Sequence, residues 1–117
     1  KSLMSRSGKA KGRTGQQEVR DKLLETFPEF EADDIKSTVM GDTGEDIQLS
    51  PAARKAMPIT IEVKRRKSGF KTAYGYIDQA SNHAKGEPVV FYRSDRQPWI
   101  VMISIDHYME LLRNWKK

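Results

Sequence analysis

Residues 58–67 constrain the fold more than any other part of the chain, because apolar and polar side chains alternate along them. Successive side chains of a β-strand point to opposite faces, so Ile61 and Val63 are expected to share one face. Glu62 and Lys64 are expected on the other face, roughly 7 Å apart at the rise of a strand. The pattern predicts a half-buried strand whose polar face is either solvated or presents a carboxylate and an ammonium group to one cleft.

The length and charge of the chain narrow its class. A chain of 117 residues can bury a core, and we predict a single domain over residues 14–117 behind a flexible basic arm, residues 1–13. The net charge of +5 favours an anionic partner, and nucleic acid fits better than a membrane because no apolar run is long enough to span one. The absence of cysteine excludes zinc–thiolate sites and thiol nucleophiles, and it suits an intracellular protein, in the cytoplasm or, if viral, the host cell cytoplasm.

Caps and periodicities predict helices and strands in a definite order. Thr14 and Gln17 fit a capping box at the start of a first helix, which Pro28 ends. Strands are expected at residues 35–40, 45–49, 58–67, 89–92 and 99–103, the last two buried on both faces, and further helices at residues 52–56, 72–84 and after Ser104. This order predicts an α/β fold in which about five strands form a mixed sheet flanked by helices.

Two acidic residues and a lysine are candidates for a joint chemical task. Asp46 and Glu62 stand on strands that are neighbours in sequence, so their carboxylates are expected to converge on one cation. Oxygen ligands of this kind favour Mg²⁺, for which Mn²⁺ is expected to substitute. Lys64 is placed to orient or deprotonate an attacking water, or to stabilise charge that develops on phosphorus.

Glu18 and Gln79 are further candidates on predicted helices. Glu18 lies in the first turn of the predicted first helix, where a carboxylate interacts favourably with the helix dipole, so it is either a structural residue or a third acid near the cleft. Gln79 falls in the helix after the strand that carries Glu62.

Together these residues resemble the signature of the PD-(D/E)xK nuclease superfamily, most closely its Holliday-junction-resolvase-like and small phage-type members. The resemblance runs from about Gly15 to the last helix and includes the order of helices and strands. Asp46 matches on the second strand, the triplet from Glu62 to Lys64 on the third, and Gln79 in the following helix. The pattern departs from the family at residue 45, where Glu45 stands in place of the proline.

The resemblance implies a restriction-endonuclease-like fold and a role for each matching residue. Asp46, Glu62 and the backbone carbonyl of Val63 would bind Mg²⁺, Lys64 would serve the attacking water, and Gln79 would position the site. Glu18 corresponds to an acid that the resolvase-like branch often carries near the metal. The expected products carry 5′-phosphate and 3′-hydroxyl ends.

The resulting hypothesis is a Mg²⁺-dependent DNA endonuclease that selects Holliday junctions or other branched DNA and acts as a homodimer. Basic side chains would contact backbone phosphates: Lys9, Lys11, Arg13, Arg54, Lys55, Arg65, Arg66, Lys67 and Lys71. Arg54 and Lys55 fit equally well as solvated charges on a bulge between strands. The alternatives are a non-catalytic nucleic-acid-binding module with the same fold and a structural subunit that docks a partner through the last helix.

Overall fold

The computed structural model describes residues 2–38 and 45–115, with side chains from Thr14 onward. The chain forms two compact units, residues 1–67 and residues 68–117. Each unit contains helices and a small sheet of its own. The boundary between the units lies between Lys67 and Ser68, and the single domain over residues 14–117 stays a prediction.

The first unit begins with helix α1, Ser2–Thr26. The predicted start at Thr14 is wrong, because the helix already includes residues 2–13, which were predicted to be a flexible arm. Residues 2–13 contain no proline, so nothing in them forces the helix to begin at the capping signal. Leu23 and Phe27, which are four residues apart and therefore face the same side, are 1% and 2% exposed.

A two-stranded antiparallel sheet and a short helix follow in the first unit. Strand β1, Ile35–Ser37, pairs with strand β2, Ile47–Leu49, so that Ile35 lies opposite Leu49. Residues 39–44, which include the end of the predicted first strand, lie outside the described residues. Helix α2, Pro51–Ala56, begins as predicted, with Ser50 Oγ accepting a hydrogen bond from the backbone N–H of Ala53 at 3.2 Å.

The core of the first unit lies where α1, the sheet and α2 meet. Its side chains are apolar and almost inaccessible to solvent: Leu23, Phe27, Ile35, Ile47, Ala53 and Met57. Burying a leucine, isoleucine, phenylalanine or methionine side chain contributes about 1.5–3 kcal/mol relative to leaving it exposed. The core therefore fixes the position of β2, which Asp46 directly precedes.

The predicted strand over residues 58–67 is not a strand in the structure, although its alternation of burial is confirmed. The half-buried side chains are those of Ile59, Ile61 and Val63, and the exposed ones are those of Thr60, Glu62 and Lys64. A strand requires a ladder of backbone hydrogen bonds to a neighbour. The segment makes a bond of this type between the N–H of Asp46 and the carbonyl of Ile61, at 3.1 Å.

The second unit contains two helices around a second antiparallel hairpin. Its elements in chain order are α3 (Lys71–Ser81), β3 (Val90–Tyr92), β4 (Ile100–Met102) and α4 (Ile105–Arg113). Phe91 lies opposite Val101 in the hairpin. The predicted cap of the last helix is confirmed, because Ser104 Oγ accepts a hydrogen bond from the N–H of His107 at 3.1 Å.

The prediction that both strands of this hairpin are buried on both faces is wrong. Phe91 is 69% exposed and Val101 is 53% exposed. Among the described residues of the second unit, the buried side chains are Met109 and Leu112 of α4. A unit this small has too few elements to cover both faces of a sheet, whatever the hydrophobicity of its strands.

The fold class is therefore α/β, as the sequence predicted. In the described part of the chain the strands form two antiparallel sheets of two strands each; the single mixed sheet of about five strands stays a prediction. No helix among the described residues has both the length and the apolar character needed to cross a membrane.

Candidate active site

Asp46 is fastened to the segment that carries Glu62. Its backbone N–H donates to the carbonyl of Ile61 at 3.1 Å, and its Oδ2 accepts a hydrogen bond from the N–H of Val63 at 2.6 Å. The backbone N–H of Thr38 donates to the carbonyl of Asp46 at 2.9 Å. Asp46 therefore joins the end of β1 to the two residues that flank Glu62, which brings the first and second parts of the predicted signature together.

Glu62 and Lys64 lie on the same side of the extended segment, as alternation predicts. Lys64 Nζ is 2.9 Å from Glu62 Oε2, and the two side chains are 64% and 60% exposed. An ion pair this open to solvent contributes little to stability. The exposure leaves both groups accessible to a substrate.

Arg54 connects the segment that carries Asp46 to the segment that carries Glu62. It does so through hydrogen bonds that were not predicted from the sequence. Its guanidinium donates to both carboxylate oxygens of Glu45 and to the carbonyl of Ile59 at 2.5 Å. Glu45 directly precedes Asp46, and Ile59 lies just before the segment that Asp46 contacts. The pair with Arg54 lowers the pKa of the Glu45 carboxyl and raises that of the guanidinium.

This arrangement changes the interpretation of Arg54, which was predicted to contact DNA. A guanidinium that holds a carboxylate with two hydrogen bonds is oriented by that carboxylate. We therefore assign Arg54 a positioning role between Glu45 and Ile59. Glu45, which directly precedes Asp46, thus anchors the start of the β2 segment through its ion pair with Arg54.

Helix α2, which carries Arg54, is itself fixed at its start. Ser50 Oγ donates to Asp34 Oδ1 at 2.7 Å while it caps the helix. A hydrogen bond from the backbone N–H of Glu31, followed by the one from Ser50, lowers the pKa of the Asp34 carboxyl. The N–H of Ser50 also donates to the carbonyl of Asp34 at 2.8 Å. These bonds hold α2 against the start of β1.

Helix α1 contacts the C-terminal part of the extended segment, residues 63–65. A Cβ atom on Gly15 would lie 3.1 Å from Arg65 Cβ and 3.5 Å from Val63 Cγ1. Glu18, one turn further along, has its Oε1 3.8 Å from Arg65 Nε. Because α1 begins at Ser2, Glu18 is not in a first turn, and the interpretation through the helix dipole is wrong. The role of Glu18 as a third acid near the site stays a prediction.

The other predicted site residues are distributed over both units. Lys55, Arg66 and Lys67 are exposed in the first unit, and Lys71 and Gln79 are exposed on α3 of the second. Lys9, Lys11 and Arg13 stand on α1, but their side chains lie outside the described part of the structure.

The groups around Asp46 suit a hard cation by their chemistry. The carboxylates of Asp46 and Glu62 and the carbonyl of Val63 are oxygen donors of the kind that Mg²⁺ prefers. An ionised carboxylate has two oxygens with about four lone pairs between them, so the bond from Val63 leaves Asp46 able to bind an ion. Within residues 14–38 and 45–115, no three side chains of histidine, cysteine, aspartate or glutamate are grouped closely enough to form a complete metal site.

Three residues have positioning contacts that were not predicted from the sequence: Glu45, Arg54 and Gly15. Glu45 precedes β2 and Arg54 lies inside α2, and no periodicity connects residues at that separation. Gly15 lies inside α1, where a glycine is less favourable than an alanine, but only the tertiary structure shows that Arg65 and Val63 approach it.

No protein-family model matches the chain, and neither the curated proteins nor the solved structures contain a match.

Proposed function

We propose that the chain is a Mg²⁺-dependent DNA endonuclease that hydrolyses phosphodiester bonds and leaves 5′-phosphate ends. Its preferred substrates in this proposal are Holliday junctions or other branched DNA. The observation that carries the proposal is the hydrogen bond from the N–H of Val63 to Asp46 Oδ2, at 2.6 Å. It joins two acidic segments that are separate in sequence, and the second segment presents Glu62 and Lys64 on one exposed side.

Each residue of this group has a distinct part in the proposed reaction. Asp46 and Glu62, with the carbonyl of Val63, would hold Mg²⁺, whose contribution when bound is to polarise a phosphoryl oxygen. Lys64 would turn from Glu62 towards the substrate, where its ammonium can orient the attacking water and offset charge on the phosphate. Arg54 keeps the two acidic segments in register by bonding to both of them.

The proposal extends to fold and partners. A restriction-endonuclease-like sheet of about five strands stays a prediction, and the enzyme would act inside the cell as a homodimer, because symmetric cuts in a four-way junction need two sites. Arg65, Arg66 and Lys67 form a continuous basic stretch that would bind backbone phosphates.

A non-catalytic nucleic-acid-binding module is the second candidate. The ion pair between Lys64 and Glu62 favours it, because an ammonium held by its neighbouring carboxylate is not directed at a water. Such a module would bind DNA equally well with and without a divalent cation and would cut none.

The experiment that separates the two candidates is cleavage of an end-labelled four-way junction beside a matched linear duplex. Each DNA is incubated with the protein in Mg²⁺ or in EDTA. The matched pair of variants is Lys64→Ala and Lys36→Ala, since Lys36 is also exposed in the first unit but lies on β1. We expect Mg²⁺-dependent cuts, preserved in Lys36→Ala and reduced by about 10²–10⁴-fold in Lys64→Ala.

The possible outcomes have distinct meanings. Cuts in the junction alone support structure-selective hydrolysis, while cuts in both DNAs retain the nuclease and remove junction selectivity. Tight binding without any cut in either DNA would contradict the proposal and favour the binding module. Equal activity of the two lysine variants would remove Lys64 from the site.

A further inference from the structure

The second unit contains an apolar pocket that the proposed reaction does not use. It lies between the first turn of α3 and the hairpin, and its volume is about 260 Å³. The residues on which the argument depends are Phe70, Lys71, Tyr76 and Tyr92, with Ile100 and Met102 behind them. All of these residues belong to the second unit.

Aromatic rings form one side of this pocket. The rings of Tyr76 and Tyr92 are stacked, with centroids 6.0 Å apart and planes 29° apart. Phe70 is 84% exposed although it lines the pocket, so its ring stands at the rim. Its backbone is in the left-handed region, with a φ of 50°, and it follows Gly69 with a φ of 118°. A phenylalanine is rarely held in this conformation, and such strain is often retained at binding sites.

The size and charge of the pocket indicate which kind of ligand it can bind. Pockets for drug-sized ligands measure about 300–1,000 Å³, so this one suits a smaller group. A flat heteroaromatic ring can stack on the rim, because every nucleobase has a π-face that aromatic side chains bind. Lys71, the first residue of α3, lines the same pocket and supplies a positive charge for the phosphate that such a base carries.

We infer that this pocket binds one unstacked nucleobase of the DNA substrate. The inference rests on the proposed function and deepens it, because a base inside an intact duplex cannot enter the pocket. Unpaired bases occur at bulges, flaps and strained branch points, so the pocket gives the enzyme a physical means of selecting branched over linear DNA.

The test measures binding by fluorescence anisotropy in EDTA, so that no DNA is cut. The DNAs differ at a single position: a fully paired duplex, the same duplex with one bulged thymidine, and the same bulge with an abasic residue. The abasic bulge retains the backbone distortion, so the ratio of the two bulge affinities isolates the base. The full chain should bind the thymidine bulge about tenfold more tightly than the abasic bulge.

The variants separate the pocket from the surrounding apolar surface. Phe70→Ala should reduce the affinity ratio to one while binding to the paired duplex is unchanged. Phe91→Ala is the matched control, because Phe91 is also an exposed phenylalanine of the second unit, at 69%, but does not line the pocket. It should preserve the ratio. Lys71→Ala should weaken all three DNAs equally, since a phosphate contact is independent of the base.

Each remaining outcome overturns the inference in a recognisable way. A ratio of one for the unmodified chain, with duplex binding intact, refutes the nucleobase pocket and leaves the proposed nuclease standing. An equal loss in Phe70→Ala and Phe91→Ala assigns the effect to general apolar contact. A change in the sedimentation coefficient of the free protein in Phe70→Ala, but not in Phe91→Ala, would show that Phe70 contacts another protein chain and would refute the nucleobase pocket. Absence of binding to every DNA refutes both this inference and the proposed function.

Discussion

Replacing Gly15 with alanine tests whether α1 holds the extended segment of the site in place. Within a helix, glycine is less favourable than alanine by about 0.8–1.0 kcal/mol, so the substitution alone should stabilise α1. The new Cβ would lie 3.1 Å from Arg65 Cβ, about 0.4 Å closer than the optimum for two carbon atoms. Arg65 Cβ is attached to the backbone and cannot rotate away, so the segment itself must move.

The two effects on the free energy of unfolding have opposite signs. Overpacking typically costs about 1–3 kcal/mol, which matches or exceeds the gain in helix propensity. Gly15→Ala should therefore leave the free energy of unfolding unchanged or lower it by up to about 2 kcal/mol. Gly75→Ala is the matched control, because Gly75 lies inside α3 and a Cβ there meets no atom within 4 Å. It should gain the full helix-propensity term, about 0.8–1.0 kcal/mol.

The assay is urea unfolding followed by two signals. Both tryptophans, Trp99 and Trp115, belong to the second unit, so their fluorescence follows the unit that contains Gly75, while far-ultraviolet circular dichroism follows both units. A gain in Gly15→Ala equal to the gain in Gly75→Ala would refute the close approach of α1 to Arg65 and Val63. The same variant should also reduce DNA cleavage, because it displaces the backbone next to Lys64.

Further measurements test the ion pair, the phosphate contacts and the helix cap. Because Arg54 holds the pKa of Glu45 below its ordinary value of 4.5, the stability from this pair is present above that pH and is lost as the pH falls through the lowered pKa. Glu45→Gln should flatten the pH dependence of urea unfolding below about pH 5, and an unchanged profile would contradict the pair. Arg66→Ala should reduce the slope of log affinity for DNA against log salt concentration by about 0.9; an unchanged slope would exclude a phosphate contact. Ser50→Ala should lower the free energy of unfolding by about 1 kcal/mol, whereas the control Ser68→Ala should stay within about 0.5 kcal/mol.

Local chemistry explains the parts of the fold that the sequence predicted. The caps at Ser50 and Ser104 depend on a side chain and a backbone N–H three residues later, so neither needs distant information. The burial of Leu23 and Phe27 follows from helical spacing alone. Alternating burial over residues 59–64 likewise follows from the extended backbone, and it placed Glu62 and Lys64 on one side.

The incorrect predictions involve contacts that neighbours in sequence do not determine. Whether residues 58–64 form a strand depends on a partner strand that offers a full ladder, and Asp46 offers one backbone bond and one side-chain bond. The apolar residues around Phe91 show that the strand is hydrophobic, but they do not show whether another element covers it. The prediction that this strand is buried is therefore wrong. The bonds from Arg54 to Glu45 and Ile59 require the tertiary fold, and the sequence offered only a surface charge.

The central claim is that Asp46 and the segment from Glu62 to Lys64 form one metal-dependent hydrolytic site. Its most direct test is the single-turnover rate of junction cleavage as a function of Mg²⁺ concentration, for the unmodified chain, Asp46→Asn and the exposed control Asp33→Asn. An asparagine retains an oxygen that can accept the bond from Val63, so the fold is preserved while the charge is lost. We expect saturating, Mg²⁺-dependent cleavage by the unmodified chain and by Asp33→Asn, and no cleavage by Asp46→Asn at any Mg²⁺ concentration. Equal rates for Asp46→Asn and the unmodified chain would contradict a metal-dependent site that includes Asp46.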